Sequence, residues 1–469
     1  MPPALTASVP AAPVATPVSQ ETRLAYVLHH FRLVYEAVPE VGIGFAGAQT
    51  AIEVLDGAAD FFGQATPYPA APNWRSWLDQ RVPFFFDAAP HAPLLTFTQG
   101  HVIINSDVIS AAFYLLSGWQ EYFSIERDRH GRFPYAASVQ QQYSFVTVPV
   151  VNYYFDVLKT ALEHVTGQKL HVRSWGEGAP FAAFITHDID NLRSAWKAPA
   201  KAALQQGQLA KFGRLWWQHL AKPDAWDNLE AVAAVVAEYG AKSTFFILPA
   251  SQPGADGTPN ADYQLDAVLW ERLHNISEKY KSEIGLHGSI GTAVSGTQFA
   301  CEAEDFLMAR SIFPFGNRFH YLRWEPRLTP QVLSMGTDED YTAPKYDSTL
   351  GFAEHFGFRN SYCHPFYPFN FVTGETHTFL EIPLNVMDAT LHHPNYLQLR
   401  AEQILPALQP MFSEVERFGG VATLLWHNDH FDPFNTVTGP KQFRQLMSHL
   451  QQQKAVFLTG WEIWRQFLC

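Results

Sequence analysis

The chain has 469 residues, 47% of them hydrophobic and 16% charged, including 37 Phe and 13 Trp. That length exceeds one compact core and suits two domains, while the composition excludes disorder for the bulk of the chain. With 32 Lys and Arg against 45 Asp and Glu, the formal charge is −13, so the summed field repels nucleic acid and anionic membranes, and no local basic patch stands out to override it.

The first twenty residues, "MPPALTASVPAAPVATPVSQ", are rich in Pro and Ala, with neither a basic start nor an apolar centre, the pattern of a disordered tail rather than a signal peptide. Residues 22–172 read as a smaller α+β unit of unknown function. It has a helix over "RLAYVLHHFRLVYEAV", short strands near "LLTFTQGHVIINS", and an amphipathic run "DVISAAFYLLSGWQEYF". A charged turn "ERDRHGRF" follows, and then a helix "VNYYFDVLKTALEHVTG" closed by Gly167. His29, His30, His101 and His130 have no partner at metal spacing there and read as core or surface histidines.

From residue 180 to 469 strand-like runs alternate with helical ones. The strand "FAAFIT" is followed by an insertion over 194–222, rich in Trp, Lys and Gln and helical in pattern, which either covers a cleft or is plain surface. A helix entered at Asp227 and closed at Gly240 leads to the strand "STFFIL". After these come the helix "LDAVLWERLHNISEKY", the strand "SEIGLHG", the helix "CEAEDFLMARSIF" and the strand "RFHYLRW". Thr329 and Pro330 then stand as N-cap and N1 of a further helix. The last strands are "TFLEIPLNV", "VATLLWHN" and "AVFLTG", with a helical run over 396–418 ended by Gly419 and Gly420. Seven or so short strands, each followed by a helix, predict a parallel sheet with helical crossovers, closed as a barrel or doubly wound.

Cys301, Cys363 and Cys469 lie far apart without a CxxC pair, which argues against a disulfide framework and a cysteine metal site and fits a reducing compartment. No apolar run approaches the roughly eighteen residues of a membrane helix. Cytoplasm is the expected location, and the oligomeric state is left open.

The functional face of a parallel sheet lies at the carboxyl ends of its strands, and polar residues gather there. The first strand ends in "HDID", the third delivers His287, the fourth carries Arg318, His320 and Arg323, and "VATLLWHN" delivers His427. Asp188 and Asp190 in an extended segment project to one side. Two like charges so close need a cation, or one of them keeps a proton. The bland alternative, a strand-end turn in which Asp190 caps the next segment, leaves His287 and His427 unexplained.

In order, "FITHDID", "EIGLHGS", "RFHYLRWEP", "YDSTLGF" and "LLWHN" resemble the successive motifs of the NodB-type polysaccharide deacetylases. More narrowly they resemble a divergent bacterial branch with a His-Asp-x-Asp first motif behind an uncharacterised N-terminal domain. The resemblance implies an incomplete (β/α)7-type barrel preceded by the smaller α+β domain. It implies a metal-dependent hydrolase that removes N-acetyl groups from an amino-sugar glycan or sugar precursor, with zinc as the expected divalent ion. Carried across, Asp188 takes the place of the general base, Asp190 and His287 those of metal ligands, and Arg323, or secondarily Arg318, that of the arginine orienting the base. Asp347 takes the place of the acid that steadies the last histidine, and His427 that of the general acid. The chemistry is coherent: a divalent ion acidifies water and polarises the carbonyl, Asp188 accepts the proton, and His427 protonates the departing nitrogen.

One departure matters. The family places a second histidine four residues after the first, where this chain has Gly291. Catalytic zinc normally has three protein ligands, so His320 or Asp188 completes the shell, or the site is weak or lost. His187 should point away from Asp188, and His364, His377, His392 and His393 read as surface or loop. Trp324, Trp426, Tyr321 and "YCHPFYPFNF" offer sugar-stacking surfaces or simply core. The alternatives to a deacetylase are a barrel that binds carbohydrate or a partner without catalysis and a metal phosphohydrolase using the His187–Asp188 pair. A two-carboxylate glycosidase is also possible in a barrel, but it would leave His287 and His427 without a role.

Overall fold

The computed structural model describes residues 17–176, 178–310, 315–335, 343–432, 435 and 437–468. Most of the expected tail lies outside these residues, yet its last ones are ordered. Ser19 accepts a hydrogen bond from the Thr22 amide and caps a helix over Gln20–Val34.

Three short parallel strands, Ile43–Phe45, Ile52–Val54 and His101–Ile104, form a sheet in that order with Leu95–Thr98 antiparallel at its edge. A hairpin, Asn73–Trp77 with Gln80–Phe84, stands beside it. The helix expected over 107–123 breaks where Gly118 adopts φ 72°, giving Val108–Leu116 and Trp119–Phe123. Gly167, at φ 68°, ends the helix Val150–Thr166 as its sequence requires.

The rest of the chain builds a parallel α/β barrel that does not close. Its strands are β1 Ala182–Ile189, β2 Ser243–Ile247, β3 Glu283–Gly288, β4 Gly316–Phe319, β5 Tyr346–Asp347, β6 Leu380–Glu381, β7 Val386–Met387, β8 Val421–Leu425 and β9 Val456–Phe457. The hydrogen-bonded order is β6-β5-β4-β3-β2-β1-β8-β7, with β9 also pairing β1. Every residue of β1 is buried, as befits a central strand covered on both faces, and this accounts for its unbroken apolar run. The seam falls between β6 and β7, which only residues 382–385 separate. The stretch "TFLEIPLNV" therefore supplies both edge strands rather than one.

A single hydrophobic cluster takes residues from both halves of the chain, among them Phe31, Phe113 and Phe155 from the first and Tyr362, Phe366 and Phe418 from the second. Across the junction the Arg359 guanidinium grips Glu121 with two bonds of 2.8 and 2.6 Å, both side chains being fully buried. Arg127 holds Glu325 in the same two-pronged way. Losing one partner of a buried pair strands the other charge, so Glu121→Ala should destabilise the protein by about 3–5 kcal/mol. A lower denaturant midpoint with unchanged slope would report it.

Candidate metal and acid–base site

Because side chains alternate along β1, Asp188 and Asp190 leave the strand on the same side and His187 on the other. His187 is packed among Phe245, Phe431 and Phe443, its Nδ1 2.7 Å from the Trp426 carbonyl oxygen, and burial lowers its pKa to about 4. It takes no part in the cluster that faces Asp188.

Two neighbouring strands meet the carboxylates. From β3, His287 donates its Nδ1 proton to the Arg318 carbonyl at 2.8 Å, which turns Nε2 toward Asp190 Oδ1 at 3.3 Å and Asp188 Oδ2 at 3.7 Å. From β4, Arg318 is wholly buried over the Phe246 ring. Its Nη1 donates to Asp188 Oδ1 at 2.9 Å and Thr186 Oγ1 at 2.7 Å, while Nε and Nη2 are fixed by Ser348.

The third histidine comes from a 3₁₀ turn, His320–Leu322, directly after β4, and its Nε2 lies 3.5 Å from Asp190 Oδ2. Asp190, His287 and His320 thus offer three ligand atoms within 4.8 Å of one another, a set able to hold a metal ion. Asp190 Oδ1 is buried without a hydrogen-bond partner, the condition a cation relieves, and two nitrogens with one carboxylate oxygen suit zinc. Burial would raise the Asp190 carboxyl, but His320 and His287 outweigh it and hold the group well below the usual carboxylate range. Burial outweighs Asp190 and lowers His320, whereas Asp188 and Asp190 overcome burial at His287 and raise it.

On the far side of Asp190 stands His427, at the end of β8, with Nε2 3.8 Å from Asp190 Oδ2. Its Nδ1 donates to Asp388 Oδ1 at 2.8 Å and its backbone amide to Asp388 Oδ2 at 2.6 Å. Burial opposes the imidazolium, yet Asp388 prevails and raises His427 well above its ordinary 6.5.

Two expected residues lie elsewhere. Arg323 reaches outward to Asp256 at 2.7 Å, and Arg318, the second choice, holds Asp188. Alternation puts Arg323 on the face opposite Arg318 and His320, and the turn after β4, with Tyr321 and Leu322 both left-handed at φ 60° and 53°, ends the strand before it. Asp347 is buried beneath the site, bonded to Asn317, Thr349 and the Glu381 carboxyl, and burial raises both acids. Asp388 occupies the position foreseen for it. Its sequence signal is an acid directly following an apolar strand, "NVMD", which the continuous run "TFLEIPLNV" conceals. Of the candidate sugar platforms, Trp324, Trp426 and Tyr362 are buried core, and His364 and His377 are buried as well.

The turn that carries His320 is gripped from the N-terminal half. Arg132, itself ion-paired to Asp128, donates to the Tyr321 carbonyl at 2.9 Å, and His130 stacks on the Tyr321 ring at 4.8 Å. His320 Nδ1 has no hydrogen-bond partner, so its ring lacks the anchor that His287 has in Arg318.

Residues 19–167 match a family of unknown function, DUF7033. No curated protein matches the chain. Among solved structures it is similar to PuuE allantoinase, at 11% identity over 62% of this chain and 92% of that one, with a TM-score of 0.40. It is also similar to a "probable polysaccharide deacetylase" from Pseudomonas aeruginosa PAO1, at 12% identity over 62% and 91%, TM-score 0.38. A third is BA3943, a CE4 family pseudoenzyme from Bacillus anthracis, at 9% identity over 62% and 66%, TM-score 0.29. At such scores the site has to be read from its own geometry.

Metal analysis after dialysis against zinc should find one ion per wild-type chain, none in His287→Ala or Asp190→Ala, and one in His187→Ala. Arg132→Met, which frees the turn bearing His320, should weaken zinc binding by roughly 10- to 100-fold in a chelator competition.

Proposed function

We propose that the chain is a metal-dependent hydrolase that removes N-acetyl groups from an amino-sugar glycan. One observation carries this reading: a carboxylate held by a buried arginine and a histidine held by a buried carboxylate flank a single cluster of three metal-ligand atoms.

Amide hydrolysis needs a proton acceptor for water on one side of the carbonyl and a proton donor for nitrogen on the other. Asp190, His287 and His320 would hold the divalent ion, which supplies an acidified water and a polarised carbonyl when bound. Asp188 accepts the proton of the attacking water, and Arg318 fixes the carboxylate oxygen that does not face the cluster. His427 delivers a proton to the departing nitrogen, and Asp388 fixes its orientation from Nδ1, leaving Nε2 toward the site. The assignments of Asp188 and His427 as base and acid follow the direction of their partners: a cation beside the acceptor, an anion beside the donor.

A second reading is a barrel that binds glycan without catalysis. It is favoured by Gly291, where the resembling family has a histidine. Gly291 adopts φ 102° and a Cβ there would meet Gln298 Oε1 at 2.7 Å, so the backbone at this position disfavours any side chain. His320 answers that loss in the first reading and is incidental in the second.

Acetate release from a panel of N-acetylated glycans, with and without chelator, separates the two. Wild type should release acetate and stop when the metal is removed. Asp188→Asn leaves the buried Arg318 charge without its partner, so it should unfold at a lower temperature and, assayed well below that temperature, lose rate roughly 100- to 10,000-fold. Silence from wild type with zinc bound would favour the binding protein. The pH profile tests the donor. A donor is active below its pKa, so the alkaline limb should fall well above pH 6.5. Asp388→Asn removes the largest raising charge and leaves burial opposed only by Asp190 and Asp188, so the limb should move to lower pH as the rate falls.

A further inference from the structure

The insertion after β1 is a helical hairpin, Lys197–Gln205 and Leu209–Ala221. The second helix has three distinct faces. Phe212, Leu215 and His219 are half-buried, with His219 stacked on Trp196. Lys211, Arg214 and Gln218 form a polar face. Leu209, Trp216 and Leu220 recur along a third face with Trp217 beside them, and nothing within the described residues covers it. Leu209 is 69% exposed, Trp217 67% and Leu220 61%, and Leu204 of the first helix adds to the same exposed end.

The charge around this stripe runs against that of the chain. Six bases, Arg193, Lys197, Lys201, Lys211, Arg214 and Lys222, fall in a segment with no Asp or Glu from 191 to 223, within a protein of net charge −13. The overall acidity conceals the basic island that composition had argued against. Solubility alone does not call for two adjacent exposed tryptophans, and a basic helix with an indole and leucine stripe matches the headgroup boundary of an anionic bilayer.

The hairpin is also tied to the candidate site. Asn428, next to His427, donates to the Asn191 carbonyl at 2.8 Å and the Trp226 carbonyl at 2.7 Å, and accepts from Asn228 at 3.0 Å. Both feet of the excursion therefore stand at the carboxyl end of the sheet.

We infer that this hairpin docks the protein on anionic lipid surfaces, lying in the interface without spanning it. With the deacetylase reading, on which this last step rests, the docked hairpin makes a glycan presented at a membrane the substrate class.

Flotation with vesicles of equal parts phosphatidylglycerol and phosphatidylcholine, against pure phosphatidylcholine, tests the docking without reference to activity. Wild type should float with the anionic vesicles at low salt, stay behind with the neutral ones, and be released by high salt. Trp216→Ser/Trp217→Ser should lose at least tenfold in partitioning. Lys211→Gln/Arg214→Gln should lose roughly thirtyfold. Both replace exposed side chains, so they should unfold at the wild-type temperature and release acetate from soluble glycan as wild type does. Equal flotation of wild type and variants, or none by wild type, overturns the inference. So does a wild-type dimer that Trp216→Ser/Trp217→Ser converts to a monomer, which would make a second copy the occupant. Loss of acetate release with flotation intact would count against the deacetylase reading alone.

Discussion

Two carboxylates side by side at the end of a buried strand are the constraint around which the rest is arranged. Asp188 and Asp190 share one side of β1, and each must find positive charge where water is scarce. They find it in different ways. Asp188 has a permanent cation in Arg318, wholly buried and itself fixed by Thr186 and Ser348. Asp190 has two imidazoles, His287 and His320, whose charge is conditional on pH and on what else they bind. A carboxylate with a fixed counter-charge keeps its orientation, whereas one with titratable neighbours is free to accept another cation in their place. The two carboxylates differ in what surrounds them, and the difference lies in their partners.

The same logic extends to the second acid–histidine unit. Asp388 receives both the ring and the backbone amide of His427, so the imidazole is oriented and charged by one group. Beneath the site, Asp347 and Glu381 meet without a cation between them, and burial raises both. Three carboxylate environments therefore coexist within one sheet: one facing a guanidinium, one facing imidazoles, and one in which two buried acids face each other.

Much of this was legible from residue order because period and punctuation are local. The alternation of β1 put Asp188 and Asp190 together and His187 apart. Glycines at 167 and 419 closed their helices, and the parallel α/β architecture followed from strands separated by helices. What escaped was set by geometry that no local pattern encodes. Two consecutive left-handed residues after His320 end the strand there, a conformation its sequence, Tyr-Leu, does not advertise. The seam of the barrel split one apparent strand into two edges, concealing Asp388. The basic hairpin was masked by averaging, since six positive side chains vanish in a chain-wide sum of −13.

The grip of Arg132 and His130 on Tyr321 bears on how such a protein can be inherited. One donor of the Asp190 cluster sits on a turn whose backbone is pinned by a different part of the polypeptide. Recombination that shuffled the barrel into a new context would carry the histidine along and leave its clasp behind. The two halves of the chain are thereby coupled at that turn, and neither can be exchanged without disturbing the other.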